Sequence, residues 1–183
     1  MEYESFAASV APHTATMARV AAALVGMADA EDAAQEALLR AWQGWPSLRD
    51  VNAVEAWLLR ITVNVCRNWQ AGRFGSERRR SEPLNLTAYL VMQDPHDDAL
   101  GDADALDLRQ AVMALPDSLR QVVALRFYAG MDSTQIGAAL DAPAATIRTR
   151  LRRALELLRR DLQAHDAHKT NTAPSPGEGI TNG

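Results

Sequence analysis

Residues 130–154, GMDSTQIGAALDAPAATIRTRLRRA, constrain the fold more than any other stretch of the chain. Asp132 has the chemistry of a helix N-cap, and Gln135 stands three residues on, where a capping box closes. Ile136, Ala139 and Leu140 then form an apolar side at helical spacing. Asp141-Ala142-Pro143 ends that helix, because proline pushes the preceding residue out of helical conformation. Pro143 is tolerated ahead of the next helix's first turn, where no intrahelical bond uses its missing N–H. Ile147, Leu151, Ala154, Leu155 and Leu158 make the expected buried stripe of the second helix, and Arg148, Arg150, Arg152 and Arg153 project from its other sides. An amphipathic hairpin with a solvated basic face would share this periodicity. The turn is too short for side-by-side antiparallel helices, however, and the first helix is rich in small residues where a second must cross closely. The charges are arginines, whose planar fork suits guanine edges and phosphates. The stretch therefore predicts a helix-turn-helix that presents its second helix to duplex DNA.

Composition favours helices over sheet. Hydrophobic residues are 48% of 183 and aromatic ones 5%, with alanine and leucine dominant and no sustained period-two alternation. The expected fold is all-α: two small helical domains joined by a flexible acidic linker. The net charge of −4 and pI near 5.5 argue against DNA binding only if charge is spread evenly, and it is not. Residues 83–107 hold 6 acidic side chains and no basic one, whereas arginines cluster at 73–80 and 148–160. The local field decides where phosphate binds.

Along the chain, Phe6 to Gly26 reads as one or two alanine-rich helices broken early by Pro12, with Met17, Val20, Ala21 and Leu24 inward. Asp29 is the expected cap of the next helix, which carries Ala34, Ala37, Leu38, Ala41 and Trp42 on its core side and ends near Pro46. A polar loop, Ser47 to Asn52, precedes a long helix from about Val54 to Arg73 with Trp57, Leu58, Ile61, Val65 and Trp69 as its stripe. A second helical unit opens near Leu106 and breaks at Leu115-Pro116. The domains expected are 5–82 and 106–163, with a flexible linker over 83–105 and a disordered tail over 164–183.

Two segments on each side of that linker resemble the extracytoplasmic-function sigma factors, bacterial promoter-recognition subunits of RNA polymerase. They are DAEDAAQEALLRAW (29–42) with AWLLRITVNVCRNW (56–69), and LPDSLRQVVALRFYAGMDSTQIGAAL (115–140) with TIRTRLRRALELLR (146–159). The resemblance implies that 5–82 is sigma region two and 106–163 sigma region four. Asp32, Gln35 and Glu36 match the surface that docks core RNA polymerase, and their i, i+3, i+4 spacing shares one helix side. The long helix and the loop before it match the part that opens promoter DNA at the minus-ten element. Strand opening needs a basic track and pockets for unstacked bases. Arg60, Asn64, Arg67 and Asn68 are its candidates on the helix, and Arg49 and Asn52, with Asp50, in the loop. Arg73, Arg78, Arg79 and Arg80 are further candidates for phosphate. The helix-turn-helix matches the reader of the minus-thirty-five element, with Thr146, Arg148, Thr149, Arg150 and Arg153 facing the groove or its phosphates and Leu151 and Leu155 holding the core. An anti-sigma factor is a further partner the resemblance implies.

The sequence departs from the family pattern at four points. Asp141 and Ala145 stand where glycine is usual, and aspartate reaches the left-handed conformation at modest cost. Gly137 replaces the usual alanine, at a propensity cost of about 1 kcal/mol. The N-terminal helix is unusually poor in charge.

Other functions are weighed on the same residues. A freestanding helix-turn-helix regulator would need only the second half. An enzyme finds no support: His13, His96, His165 and His168 are scattered or terminal, and there is no phosphate loop or metal-ligand spacing, so no cofactor is expected. Cys66, the single cysteine, excludes an internal disulfide and reads as a packed side chain. No 18-residue apolar run predicts a membrane span, and MEYESFAASV lacks the basic lead of a secretory signal, so the expected compartment is the cytoplasm.

Overall fold

The structure is a computed structural model, and it describes residues 2–72 and 102–172. Among these residues there are α-helices and short 3₁₀ turns and no strand. The first half contains α1 (Glu2–Val10), α2 (Thr14–Val25), α3 (Met27–Gly44) and α4 (Val54–Gln70). The second contains α5 (Asp102–Ala114), α6 (Asp117–Phe127), α7 (Ser133–Leu140) and α8 (Ala144–Thr172).

Pro12 lies in a 3₁₀ turn, Ala11–His13, that separates α1 from α2. Met17, Val20, Ala21 and Leu24 are buried, as the spacing predicts. The break between α2 and α3 differs from expectation. It falls at Gly26, whose φ of 86° favours glycine, so Gly26 occupies the N-cap and Asp29 lies in the first turn instead. The facing sides of α2 and α3 are lined with alanine: Ala30, Ala33, Ala34, Ala37 and Ala41 are all buried on α3. Small side chains let the two backbones approach closely. Trp42, expected on the core side, is 38% exposed; one edge of it is covered by Phe6, with ring centroids 5.2 Å apart.

Helix α4 is buried over a wider arc than a single stripe. Leu58, Leu59, Thr62, Val65 and Cys66 are fully inaccessible, while Trp57, Ile61 and Trp69 are half-buried. The reason is the number of neighbours, since α2, α3 and α7 all pack on α4. Thr62 fits that environment because its hydroxyl donates to the Leu58 carbonyl at 2.9 Å.

In the second half, Leu115-Pro116 breaks α5 from α6. The buried Arg120 guanidinium donates to the Met113 carbonyl and to the Asp117 carboxylate, tying the two helices across the break. Two boundaries move from those expected. Helix α5 begins at Asp102, inside the segment expected to be acidic linker, because aspartate is favoured in a first helical turn. Helix α8 runs through Thr172, so residues 164–172 are helical rather than a disordered tail. No proline or glycine interrupts the chain before Pro174, and each residue added to an existing helix gains a backbone bond. His165 Nδ1 lies 2.9 Å from the Asp161 carbonyl within that extension. The end of the expected first domain, 73–82, the rest of the expected linker, 83–101, and the end of the expected tail, 173–183, lie outside the described residues.

Candidate nucleic-acid interface

The helix-turn-helix forms as its residues predict. Thr134 N–H and Gln135 N–H donate to Asp132 Oδ1 at 2.7 and 2.8 Å, and Asp132 N–H donates to Gln135 Oε1 at 2.8 Å. Both halves of the capping box are therefore made. Asp141 closes α7 in the left-handed conformation, φ 53° and ψ 51°. The Ala142 N–H then folds back to the Gly137 carbonyl at 2.9 Å. This return brings backbone against backbone: a Cβ on Gly137 would stand 2.5 Å from the Ala142 oxygen. Glycine at 137, expected to cost helix propensity, is thus what the turn requires.

On α8, Ile147, Ala154 and Leu158 are buried and Leu151 is half-buried, which anchors the helix. Leu155 departs from the expected stripe and is 41% exposed. At i+8 from Ile147 it falls on the edge of a stripe that runs i, i+4, i+7, i+11. The outward sides carry Arg148, Thr149 and Arg153 exposed, with Thr146 and Arg150 half-buried. Thr149 Oγ1 donates to the Ala145 carbonyl at 3.1 Å, leaving its lone pairs outward. Arg153 makes a distant, exposed ion pair with Glu156, 3.7 Å. Arg152, expected among the outward arginines of this helix but not among its groove-facing residues, is exposed one turn beyond Arg148.

In the first half, Arg60 and Arg67 on α4 are exposed and Asn64 and Asn68 half-buried. Their spacing of i, i+4, i+7 and i+8 puts all four on one side, away from the buried arc. The loop ahead of α4 is ordered by its own residues. Asn52 N–H donates to Asp50 Oδ1 at 2.9 Å and Ala53 N–H to the Asp50 carbonyl at 3.1 Å, an Asx turn that leaves Arg49 and Asn52 exposed. Behind this loop Phe6, Trp45 and Trp57 form a chain of rings, with centroids 5.3 and 6.3 Å apart. They fix the end of α3 against the start of α4. Arg73, Arg78, Arg79 and Arg80 lie outside the described residues.

On α3, Asp32, Gln35 and Glu36 are half-buried on the flank of the alanine face. Gln35 Nε2 donates to Glu31 Oε1 at 3.2 Å and Arg40 Nε to Glu36 Oε1 at 3.0 Å. These one-turn pairs hold Gln35 and Glu36 in place. Nothing in either half gathers ligands for a metal among the described residues, and no helix there is long and apolar enough to cross a membrane.

The two halves match two family models in chain order: Sigma-70 region 2 over residues 10–73, and Sigma-70, region 4 over residues 105–158. The chain is 32% identical over 139 residues to the RNA polymerase sigma-E factor of Streptomyces coelicolor, covering 75% of this chain and 74% of the relative. It belongs to the extracytoplasmic-function sigma factors. The same name is carried by the ECF RNA polymerase sigma-E factor of Escherichia coli K12, 30% identical over 146 residues and covered over 74% of each chain. The fold is shared with the sigma factor RpoE of Bartonella quintana, solved in complex with the anti-sigma factor NepR. That match has a TM-score of 0.67 at 20% identity and covers 87% of this chain and 98% of that one. A sigma factor directs RNA polymerase to start transcription at promoters, and this chain carries both region 2 and region 4.

Proposed function

We propose that this sigma factor holds promoter DNA with two separate grips and docks core polymerase through a third surface. Residues 5–82 act as region two and 106–163 as region four. The observation that carries this is the pair of outward basic faces, one in each half: Arg60, Asn64, Arg67 and Asn68 on α4, and Arg148, Thr149 and Arg153 with Thr146 and Arg150 on α8. The α4 face and the ordered loop residues Arg49 and Asn52 engage the minus-ten element as it opens, with the backbone held by charge and unstacked bases received beside the loop. The α8 face reads the minus-thirty-five element as duplex. An arginine bidentate to guanine supplies about 1–3 kcal/mol of discrimination. Asp32, Gln35 and Glu36 meet core polymerase. The chain carries no chemistry of its own and needs no cofactor, since bond formation belongs to the polymerase. It works in the cytoplasm, where that enzyme is. The anti-sigma complex of the Bartonella relative supports an anti-sigma factor as a further partner.

In vitro transcription with core polymerase over genomic fragments tests this reading. Selective initiation is expected, lost in Arg148→Ala/Arg150→Ala, while an Asp32/Gln35/Glu36→Ala triple variant fails to co-elute with core. Full core binding by the triple variant would remove α3 as the docking surface.

A further inference from the structure

Two helix ends in the first half are joined by one side chain. Gln70, the last residue of α4, donates from Nε2 to the Leu24 carbonyl in the last turn of α2, at 2.6 Å and across 46 positions of sequence. That carbonyl is one of the four at a helix C-terminus without a partner inside the helix. The Gly26 N–H returns to the Ala22 carbonyl at 3.0 Å, and the backbone at Gly26, φ 86° and ψ 165°, then leads the chain away into α3. Leu24 is 2% exposed, so water reaches this turn poorly and the oxygen needs a donor from the protein. Gln70 supplies it. The turn of α4 that bears this donor closes on itself as well. Ala71 N–H donates to the Arg67 carbonyl at 3.2 Å and Gly72 N–H to the Trp69 carbonyl at 3.1 Å. Trp69, one residue before Gln70, packs half-buried on the same core as Leu24.

The bond ties the two working helices of this half to one post. Helix α2 packs on α3, α4, α5 and α6. Its sequence TATMARVAAALV carries one charge, Arg19, and Ala18, Ala21 and Ala23 are among its buried residues. Small apolar side chains pack closely, but burial is non-directional, and smooth faces set the register of a helix weakly. A hydrogen bond requires a distance and an angle, so it fixes what packing leaves free. The turn fixed by Gln70 carries Arg67 and Asn68. Its acceptor lies just before Gly26, the N-cap of α3, and α3 bears Asp32, Gln35 and Glu36. We propose that Gln70 is a positioning residue for promoter opening, holding the last turn of α4 in register with α3 through the Leu24 carbonyl. Minus-ten DNA is then gripped at a set place relative to docked polymerase. The consequence for DNA rests on the function proposed above; the tie between α2 and α4 does not.

The test uses holoenzyme rebuilt from core polymerase and the full chain. Gln70→Ala removes the donor, and Gln70→Glu keeps the length but offers only acceptors at neutral pH. Thr62→Val serves as the stability control, since it deletes a buried hydroxyl whose bond to the Leu58 carbonyl lies within α4. Both Gln70 variants are expected to co-elute with core and to bind duplex promoter like wild type. They should open it between about tenfold and a hundredfold more slowly, the loss a misplaced group causes. On a template already unpaired at the minus-ten element they should start transcription at the wild-type rate. Thr62→Val should melt lower and open normally. In the free chain, carbonyl-carbon NMR should show the Leu24 resonance shifted in both Gln70 variants and unmoved in Thr62→Val. Wild-type opening in both Gln70 variants overturns the positioning role, as does a slow start that Thr62→Val shares or that persists on the unpaired template. An unmoved Leu24 resonance overturns the tie itself. Slow opening in the Gln70 variants beside normal opening in Arg60→Ala/Arg67→Ala supports the role of Gln70 and counts instead against those arginines.

Discussion

The Gly137 α-carbon faces the Ala142 carbonyl so closely that a methyl group placed on it would meet the oxygen at 2.5 Å. The obstacle is backbone on both sides, so no side-chain rotation can relieve it. Gly137→Ala gains about 1 kcal/mol of helix propensity and loses more to the shift it forces on the turn, an overpacking cost of about 1–3 kcal/mol. A lower melting temperature is expected, together with weaker duplex binding because α8 is re-aimed. A variant that melts at or above wild type would refute the close approach.

The capping box at Asp132 gives a second stability prediction. Asp132→Ala removes the acceptor for two N–H groups at the start of α7 and is expected to cost about 1 kcal/mol. Asp132→Asn keeps an acceptor and should retain most of it. Denaturant titration of the two variants separates the cap from charge, since only the alanine removes the bond.

Arg60 and Arg67 should act on opened DNA and on nothing else. Arg60→Ala/Arg67→Ala is expected to leave core co-elution intact and to reduce permanganate reactivity of promoter thymines at the minus-ten element. For each arginine that neutralises a phosphate, its removal should lower the salt slope of binding by about one. An unchanged slope with unchanged opening would take the pair out of the DNA track.

Cys66 provides a probe of α4 packing. Burial pushes its thiol up to about 12, so the folded protein binds that proton more tightly than the unfolded chain does. The contribution to stability is complete below the ordinary thiol range and is lost as pH rises toward 12. Stability is therefore expected to fall through this alkaline window, and less steeply in Cys66→Ala. At about pH 8, below the ordinary thiol range, the folded chain should resist thiol reagents and react only once denaturant opens the helix.

Local signals were legible wherever one helix and its caps decided the outcome. Asp132 with Gln135, the break at Pro143 and the stripe of Met17, Val20, Ala21 and Leu24 all depend on residues a few positions apart. What could not be read depends on packing between distant segments. Leu59, Thr62 and Cys66 lie off the stripe expected for α4, and they are buried on a helix that packs against α2, α3 and α7 rather than against a single neighbour. Gly137 is a cost by helix propensity alone, and its use shows only in the path of the returning chain. Trp42 and Leu155 err the other way: apolar and correctly spaced, they lie at the edge of faces that are not fully covered. For the candidate site, helical spacing put the α4 and α8 residues on common sides, while the Asx turn at Asp50 fixed the loop residues between Arg49 and Asn52.

The position of α2 has a bearing on how the chain is made. Ribosomes complete the first four helices while α5 and α6 are still untranslated, and at about 5–20 residues per second the stretch from Gln70 to Phe127 takes about 3–11 s to appear. For that interval the side of α2 that will meet α5 and α6 is an uncovered apolar strip on a nascent polypeptide. The second half then works as an intramolecular chaperone for the first, and a fragment ending at Gly72 is expected to be less soluble than the full chain.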